Sequence, residues 1–481
     1  MSTAAVPPAS ADPFQALDDT KISRFQIKTM FVSGMGFFTD AYDLFVIGIV
    51  VSILKTQWTL TTTQVSWLNS ATLLASAFGA IIFGRIADML GRKRIYGYEV
   101  LILAAGAIAS AFSPGYVFLI VCRIILGIGI GGDYPVSATI MSEYSGKQSR
   151  GRMVGLVFAM QGLGLIFGPL FASFLLALGI SDNLVWRLLL AFGAIPGLAV
   201  FYLRRQIHET PRFAMAGGAH EEAQAAIASA TGTVVAVPPG ESKAKVSQGA
   251  LDGFHTILSN RRLLIWLIGT AGGWLLLDFC YYGNTISSPE ILKLINPTAT
   301  LLDNTLTQLA IFAVFALPGY AVAILLLDKT GRKSIQLMGF SMMALMFLLL
   351  GLIPGTTKDV VPFLLLYGVS YFFTEFGPNT TTFIYPAEVF PTEVRTTGHG
   401  ISAGAGKLGA FAGAFLFPDF LASSIGLPGA MTIAGVVAAI GLMLTAVTLP
   451  EPRGKSLEEL SEQAFAEEAA RLPRVQPALG A

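Results

Sequence analysis

The sequence predicts an all-α membrane protein of twelve transmembrane helices in two pseudo-symmetric six-helix halves. Three observations carry this: a shortage of charge, a series of evenly sized apolar runs, and motifs that recur at half the chain length. Of 481 residues, 53% are hydrophobic and only 13% charged, and the mean hydropathy is +0.65. A water-soluble domain carries about 25% charged residues, so lipid must cover most of this surface. A soluble enzyme is thereby excluded, and the chain is read as a non-enzyme.

Windows of about 19 residues on a transfer scale pick out six apolar segments near 28–54, 65–86, 95–113, 116–141, 152–179 and 186–204, then six more near 262–284, 307–328, 334–353, 361–385, 397–421 and 428–449. Runs of about 20 residues match the roughly 30 Å hydrocarbon core. The 51 glycines and 11% aromatic content suit helices packed closely in a bilayer. Five regions follow: an N-terminal tail (1–27), a first half (28–205), a polar, Ala-rich connector with room for one amphipathic helix (206–260), a second half (261–450) and a C-terminal tail (451–481). The polar start, with Asp12, Asp18 and Asp19, lacks the basic residues and apolar core of a cleaved signal peptide, so the first apolar run is expected to stay in the membrane.

Cations set the expected orientation. Arg92, Lys93 and Arg94 join spans two and three; Lys147, Arg150 and Arg152 join four and five; Lys329, Arg332 and Lys333 join eight and nine. The alternate joints are poorer in charge, with Lys55, Lys293 and Lys358 among their few cations. Both termini and the connector are therefore expected on the cytoplasmic side. A net charge of +1 gives no basic face for nucleic acid. Cys122 and Cys280 both lie in apolar runs, so neither a disulfide framework nor a metal site is expected, and no cofactor is implied.

Motifs repeat across the midpoint. Asp88-Met89-Leu90-Gly91-Arg92-Lys93 recurs 240 residues on as Asp328-Lys329-Thr330-Gly331-Arg332-Lys333. Glu143 with Arg150 recurs 245 residues on as Glu388 with Arg395, and Pro211-Arg212 recurs 241 residues on as Pro452-Arg453. Two halves in parallel orientation place a binding site near mid-membrane between them.

An ionisable group in hydrocarbon costs several kcal/mol unless paired or wet, so each one inside a span needs a reason. Asp40 and Asp43 lie in span one, Arg123, Asp133 and Tyr134 in span four, Gln161 in span five, Asp278 in span seven, Glu375 and Asn379 in span ten, and Lys407 in span eleven. At the half-chain offset Asp40 maps onto Asp278, Tyr134 onto Asn379 and Gln161 onto Lys407, as a cavity lined by equivalent helices requires. Trp274, Asp278 and Tyr282 are spaced by four and share a helix face, as do Glu375 with Asn379 and Asp40 with Asp43. These donors, with one deep cation and several carboxylates, suit a small oxyanion with many hydrogen bonds. An anion beside ionised Asp278 is repulsive by several kcal/mol in a low-dielectric site, so one of the two must carry a proton. Uptake of the anion then brings a proton with it.

Plainer readings hold for other residues. Asp88, Arg92, Glu143, Arg150, Asp328, Arg332, Glu388 and Arg395 read as structural or gating charges at the cytoplasmic face. Arg123 has at least as good a claim to pairing helices as to any site. Trp274, Tyr134 and Tyr282 taken singly are packing aromatics, and Gly127, Gly129, Gly131 and Gly132 allow close helix approach, with no Lys-Ser/Thr to complete a phosphate loop. His208, His220, His255 and His399 fall in or near loops and are assigned no chemistry.

The chain resembles the major facilitator superfamily over essentially Thr20 to Leu460, through the twelve-span pattern and Gly84-Arg85-Ile86-Ala87-Asp88-Met89-Leu90-Gly91-Arg92-Lys93, whose second copy has Ile324 in place of the leading glycine. Gly131-Gly132-Asp133-Tyr134-Pro135-Val136-Ser137-Ala138-Thr139 further resembles the span-four signature of phosphate:proton symporters. His208-Glu209-Thr210-Pro211-Arg212 and Pro450-Glu451-Pro452-Arg453-Gly454-Lys455-Ser456 also resemble sugar porters and mark only the wider clan. The resemblance implies a major facilitator fold, phosphate held by Tyr134, Gln161, Trp274, Asp278, Tyr282 and Asn379, and a proton route through Asp40, Asp43 and Asp133 with Asp278 shared. Lys407 would attract the anion or pair with a carboxylate. The implied function is proton-coupled import of inorganic phosphate by alternating access, with arsenate competing, in a lipid bilayer and with a monomer as the functional unit. A symporter for another small anion or a sugar, and a phosphate-sensing membrane receptor, are the alternatives. Tails and connector shorter than in fungal relatives favour a bacterial inner membrane.

Overall fold

The computed structural model describes residues 14–234 and 249–471, with side chains described to residue 465. Among the described residues, twelve helices are long and apolar enough to cross a membrane: Arg24–Gln57, Thr62–Leu90, Arg92–Ala111, Tyr116–Tyr144, Arg150–Ala177 and Asp182–Arg205, then Arg261–Ile286, Leu301–Thr330, Arg332–Leu352, Val360–Val389, Arg395–Ala422 and Gly426–Thr448. They are numbered span one to span twelve below. Large apolar side chains such as Phe112 and Val447 stand exposed on the outside, which is how a bundle solvated by acyl chains is covered.

Polar caps set where several spans begin. Ser23 exchanges hydrogen bonds with Gln26 at the start of span one, Thr61 with Gln64 at span two, and Thr300 with Asp303 at span eight. Each cap satisfies amides that the first helical turn leaves free. Span six breaks at Gly193, between helices Asp182–Phe192 and Ala194–Arg205. Span ten carries a π-turn at Glu375–Asn379 around Pro378, where Gly377 leaves helical geometry. A Cβ on Gly377 would lie 2.3 Å from the Gly339 Cα, so spans nine and ten meet there backbone to backbone. The span-four glycines serve the same end: a Cβ on Gly131 would lie 2.0 Å from the Ser76 carbonyl of span two.

The halves meet along span two against span eleven and span five against span eight. Among its described residues, the segment 206–260 carries three short helices, Pro211–Ala216, His220–Thr231 and Asp252–Ser259, where the sequence pattern suggests one.

The end of the bundle that carries the described terminal helices is sealed by charge. Asp88 accepts from the Thr396 and Thr397 amides, at 3.3 and 2.6 Å, in the first turn of span eleven. Its half-chain counterpart Asp328 accepts from the Arg152 amide, at 3.0 Å, in the first turn of span five. A carboxylate at a helix N-terminus satisfies free amides and opposes the helix dipole, and here each does so across the half boundary. Glu143 pairs with Arg395 of the other half at 2.9 Å and with Arg92 at 3.5 Å. Glu388 is held twice by Arg332, at 2.8 and 3.0 Å. The symmetry fails at Arg150, which bonds the Lys455 carbonyl and Asp18 instead.

A second clasp joins the tail to the connector. Arg212 binds Glu458 through Nε at 2.7 Å and Asp18 at 3.5 Å. Burial alone would push the Glu458 carboxyl up, but Arg212 beside it holds it down at about 2. A carboxyl held below its free value of about 4.3 stabilises the clasp at neutral pH and loses that contribution as pH falls from about 4 toward 2. At pH 7, Glu458→Gln should raise amide exchange of helix Leu457–Arg471 about tenfold, the scale of one charge-assisted hydrogen bond. Unaltered protection in the variant would show that the clasp contributes nothing to holding the tail.

Candidate functional site

Span seven brings Trp274, Asp278 and Tyr282 to the boundary between the halves, where Lys407 of span eleven meets them. The Lys407 ammonium donates to the Tyr282 hydroxyl at 2.7 Å and stands 3.6 Å from Asp278 Oδ2. The second contact is an ion pair too long to be a hydrogen bond. The ammonium also lies 4.3 Å from the Tyr134 ring centroid and 4.4 Å from that of Tyr282, two cation–π contacts in a site shielded from water. The Trp274 indole adjoins Asp278, and its ring packs against Tyr134 at 6.0 Å. Span four thus contributes Tyr134 to a cluster otherwise built by the second half.

Gln161 and Asn379 occupy an adjoining compartment. Gln161 Nε2 donates to the Tyr281 hydroxyl at a long 3.5 Å. Asn379 Nδ2 donates to the Tyr320 hydroxyl at 2.8 Å and to Glu375. The hydroxyls of Tyr320 and Tyr281 adjoin the same carboxylate. The pairing follows the i, i+4 spacing, which the π-turn around Pro378 preserves.

The span-one and span-four carboxylates separate. Asp133 is clamped by Arg204 of span six through two oxygens, at 2.8 and 2.9 Å, and accepts from Ser137 at 2.5 Å. Arg204 also binds Glu99 of span three at 2.8 Å and lies over the Tyr96 ring. Gly36 admits this cluster, since a Cβ there would lie 1.9 Å from Asp133 and 2.0 Å from Arg204. Asp40 borders the same small void as Glu99 and Asp133, yet neither of its oxygens meets a hydrogen-bond partner among the described residues. Asp43 turns instead toward Arg123, which donates to its backbone carbonyl at 2.8 Å, and toward Gly193 at the break in span six. Arg123 therefore ties span four to span one.

Sequence reasoning missed Arg204, Glu99, Tyr281 and Tyr320. A demand for a counter-ion to Asp133 leads to Arg204, and Glu99 follows only as a second acceptor for that guanidinium; nothing marks the tyrosines. It also placed His399 in or near a loop. His399 is buried within span eleven, bonded through Nε2 to the Phe383 carbonyl at 3.0 Å and set edge-on to Trp274. It is enclosed because the polar start of span eleven lies inside the half boundary.

Away from the terminal end, a cavity of about 600 Å³ opens between the halves, lined by Ser52, Lys55, Thr62, Glu290, Lys293 and Pro418 among others. Lys55 and Glu290 pair across it at 2.7 Å. Between this cavity and Lys407, Phe45 stacks on Tyr282 at 5.1 Å and sets its edge to Tyr281 at 5.4 Å. The central cluster is closed on that side by aromatic rings and on the other by the charge network.

Replacing Arg204 with Gln leaves Glu99 and Asp133 without a cation, a change that costs about 3–5 kcal/mol for a buried pair. Thermal unfolding of the purified chain in detergent should shift down by several degrees, and a midpoint equal to that of the wild type would refute the clamp.

A family model described as sugar (and other) transporter matches residues 29–464. Among curated relatives, a probable inorganic phosphate transporter 1-6 of Arabidopsis thaliana is 37% identical, with 93% of this chain and 95% of that protein covered. Low affinity inorganic phosphate transporter 1 of Petunia hybrida is 36% identical at 93% and 95%. Among solved structures, the proton:xylose symporter XylE bound to 6-bromo-6-deoxy-D-glucose superposes with TM-score 0.76 at 20% identity, covering 92% of this chain and all of that one. The partially occluded inward open form of XylE from E. coli gives 0.69 at 20% identity, covering 90% and 100%. At that identity the likeness speaks for the fold alone. The chain, with the fold of the major facilitator XylE, is a multi-pass membrane transporter of the sugar (and other) transporter family and belongs with the inorganic phosphate transporters.

Proposed function

We propose that the chain imports inorganic phosphate together with protons by alternating access, the two halves rocking about the central cluster. One observation carries the reading: a lysine ammonium, held by Tyr282 and Asp278 and faced by Tyr134, sits at the half boundary. A neutral sugar can accept a hydrogen bond from a buried ammonium but brings it no counter-charge, whereas an oxyanion supplies both the acceptors and the opposite charge. The named relatives are inorganic phosphate transporters, which supports phosphate over other small anions.

In this reading Tyr134, Gln161, Trp274, Asp278, Tyr282, Asn379 and Lys407 surround the anion. Arrival of the anion draws Lys407 from Asp278, and that carboxylate can stay beside a phosphate only with a proton on one of them. Asp40, without a hydrogen-bond partner, and Asp133, in its clamp, would pass the proton along the first half, with Asp43 at the edge of that route. The charges at Asp88, Glu143, Asp328 and Glu388 would part when the sealed end opens. That end, rich in cations, would face the cytoplasm together with both termini, and one chain carries both halves of the site, so the functional unit would be a monomer. The named relatives come from plants, so they lend no support to the bacterial inner membrane suggested by short tails; a plasma membrane is the simpler proposal.

In proteoliposomes under an imposed inward proton gradient, labelled phosphate should accumulate, and citrate or glucose should not replace it. Asp278→Asn should abolish gradient-driven accumulation. Lys407→Ala should raise the half-saturating phosphate concentration at least about tenfold, the scale of one hydrogen bond to a charged group. Transport equal to wild type in both variants would contradict this placement of the site.

A further inference from the structure

We infer that Glu375 sets anion selectivity by fixing the Asn379 amide so that it offers the central chamber its oxygen and not its N–H groups. The chamber then accepts only an oxyanion that still carries a proton. This inference rests on reading the chamber as an anion site.

A carboxylate accepts hydrogen bonds and donates none. Around Glu375 that rule orients its neighbours: Asn379 turns Nδ2 to Glu375 and to Tyr320, and the Tyr320 and Tyr281 hydroxyls adjoin the same carboxylate. The amide's two N–H groups are thereby used. Its Oδ1 accepts from no described residue and is not fully enclosed, so it borders internal space. Gln161 likewise spends an Nε2 hydrogen on the Tyr281 hydroxyl, at 3.5 Å. The buried Glu375 carboxylate thus draws the Asn379 amide nitrogen to its Oε2 and leaves the amide oxygen directed elsewhere, while its own Oε1 meets no hydrogen-bond partner among the described residues.

Donors are still supplied to an anion from elsewhere in the chamber: Lys407, Tyr282 and Tyr134 belong to the neighbouring cluster. What the Glu375 compartment adds is acceptors. A phosphate or arsenate near neutral pH keeps at least one hydroxyl and can donate to them. Sulfate is fully deprotonated there, and a bare oxygen against an amide oxygen leaves both unpaired, at a cost of about 1–3 kcal/mol, a factor of roughly ten or more in affinity. Glu375 is a positioning residue in this account, since it acts on the anion through Asn379.

The test uses the purified full chain, with inorganic phosphate and sulfate as probes and calorimetric binding as the readout. Wild type should bind phosphate at least about tenfold more tightly than sulfate, and the preference should weaken as rising pH strips protons from phosphate. Glu375→Gln keeps the size of the side chain but adds donors, so the Asn379 amide is free to turn; the phosphate-to-sulfate ratio should fall about tenfold and lose its pH slope. Tyr320→Phe removes one of the two anchors and should lower the ratio by a smaller factor. It carries the test on its own if the Gln variant fails to fold. A ratio within twofold of wild type in the folded variants, while wild type binds phosphate, would overturn the role of Glu375 and leave the proposed function standing. A wild-type chain that binds no phosphate would overturn both.

Discussion

An ammonium in the hydrocarbon interior must find a counter-charge and hydrogen-bond acceptors, and Lys407 is where that demand falls hardest. Asp278 supplies the charge, Tyr282 the acceptor, and the rings of Tyr134 and Tyr282 the remaining cover. Because Tyr134 belongs to the first half and the others to the second, satisfying one cation also holds the halves together at mid-membrane. The contact is loose enough to exchange. In the proposed function, a 3.6 Å ion pair with no direct hydrogen bond would let an incoming anion draw the ammonium from the carboxylate.

The same demand organises the other buried charges. Arg204 serves Asp133 and Glu99, Arg123 ties span four to span one at Asp43, Arg332 serves Glu388, and Arg92 and Arg395 share Glu143. Breaking such a pair by removing one partner is costly, but exchanging partners within a network is not, and the sealed end is built from exchangeable partners. Asp88 and Asp328 each cap a helix of the opposite half. Motion that separates the halves would return those amides and carboxylates to water, where both are solvated. The departure from symmetry at Arg150, drawn off by Lys455 and Asp18, ties the second half of the seal to the tail as well.

Much of this was legible in the sequence, for reasons that can be named. Span count and the parallel repeat follow from the length of apolar runs and from motif offsets, and the structure has twelve such helices among the described residues. Trp274, Asp278, Tyr282 and Lys407 stand out because charges and donors are rare in lipid, so helical spacing alone gathers the first three. The partners were harder to see. Arg204 and Glu99 sit near span ends, where charge is ordinary, and only the tertiary fold turns them inward onto Asp133. Tyr281 and Tyr320 look like any other membrane aromatic. Glu375 and Asn379 stay on one face as their spacing of four implies, but the π-turn there, with Gly377 out of helical geometry, is a local irregularity that a 3.6-residue period cannot anticipate. Asp40 and Asp43 illustrate the limit: three residues apart, they border different surroundings, Asp40 the void beside Glu99 and Asp133 and Asp43 the break at Gly193, and neither carboxylate meets a hydrogen-bond partner among the described residues.

The central claim is that an oxyanion and a proton share one charge-balanced chamber. Liposomes with a trapped pH indicator, and no imposed gradient, test it most directly by reporting proton entry on addition of phosphate outside. The account requires the lumen to acidify with phosphate, in step with labelled phosphate entering, and to stay unchanged with sulfate. Phosphate entry with no accompanying proton movement, in vesicles shown to be tight to protons, would contradict it.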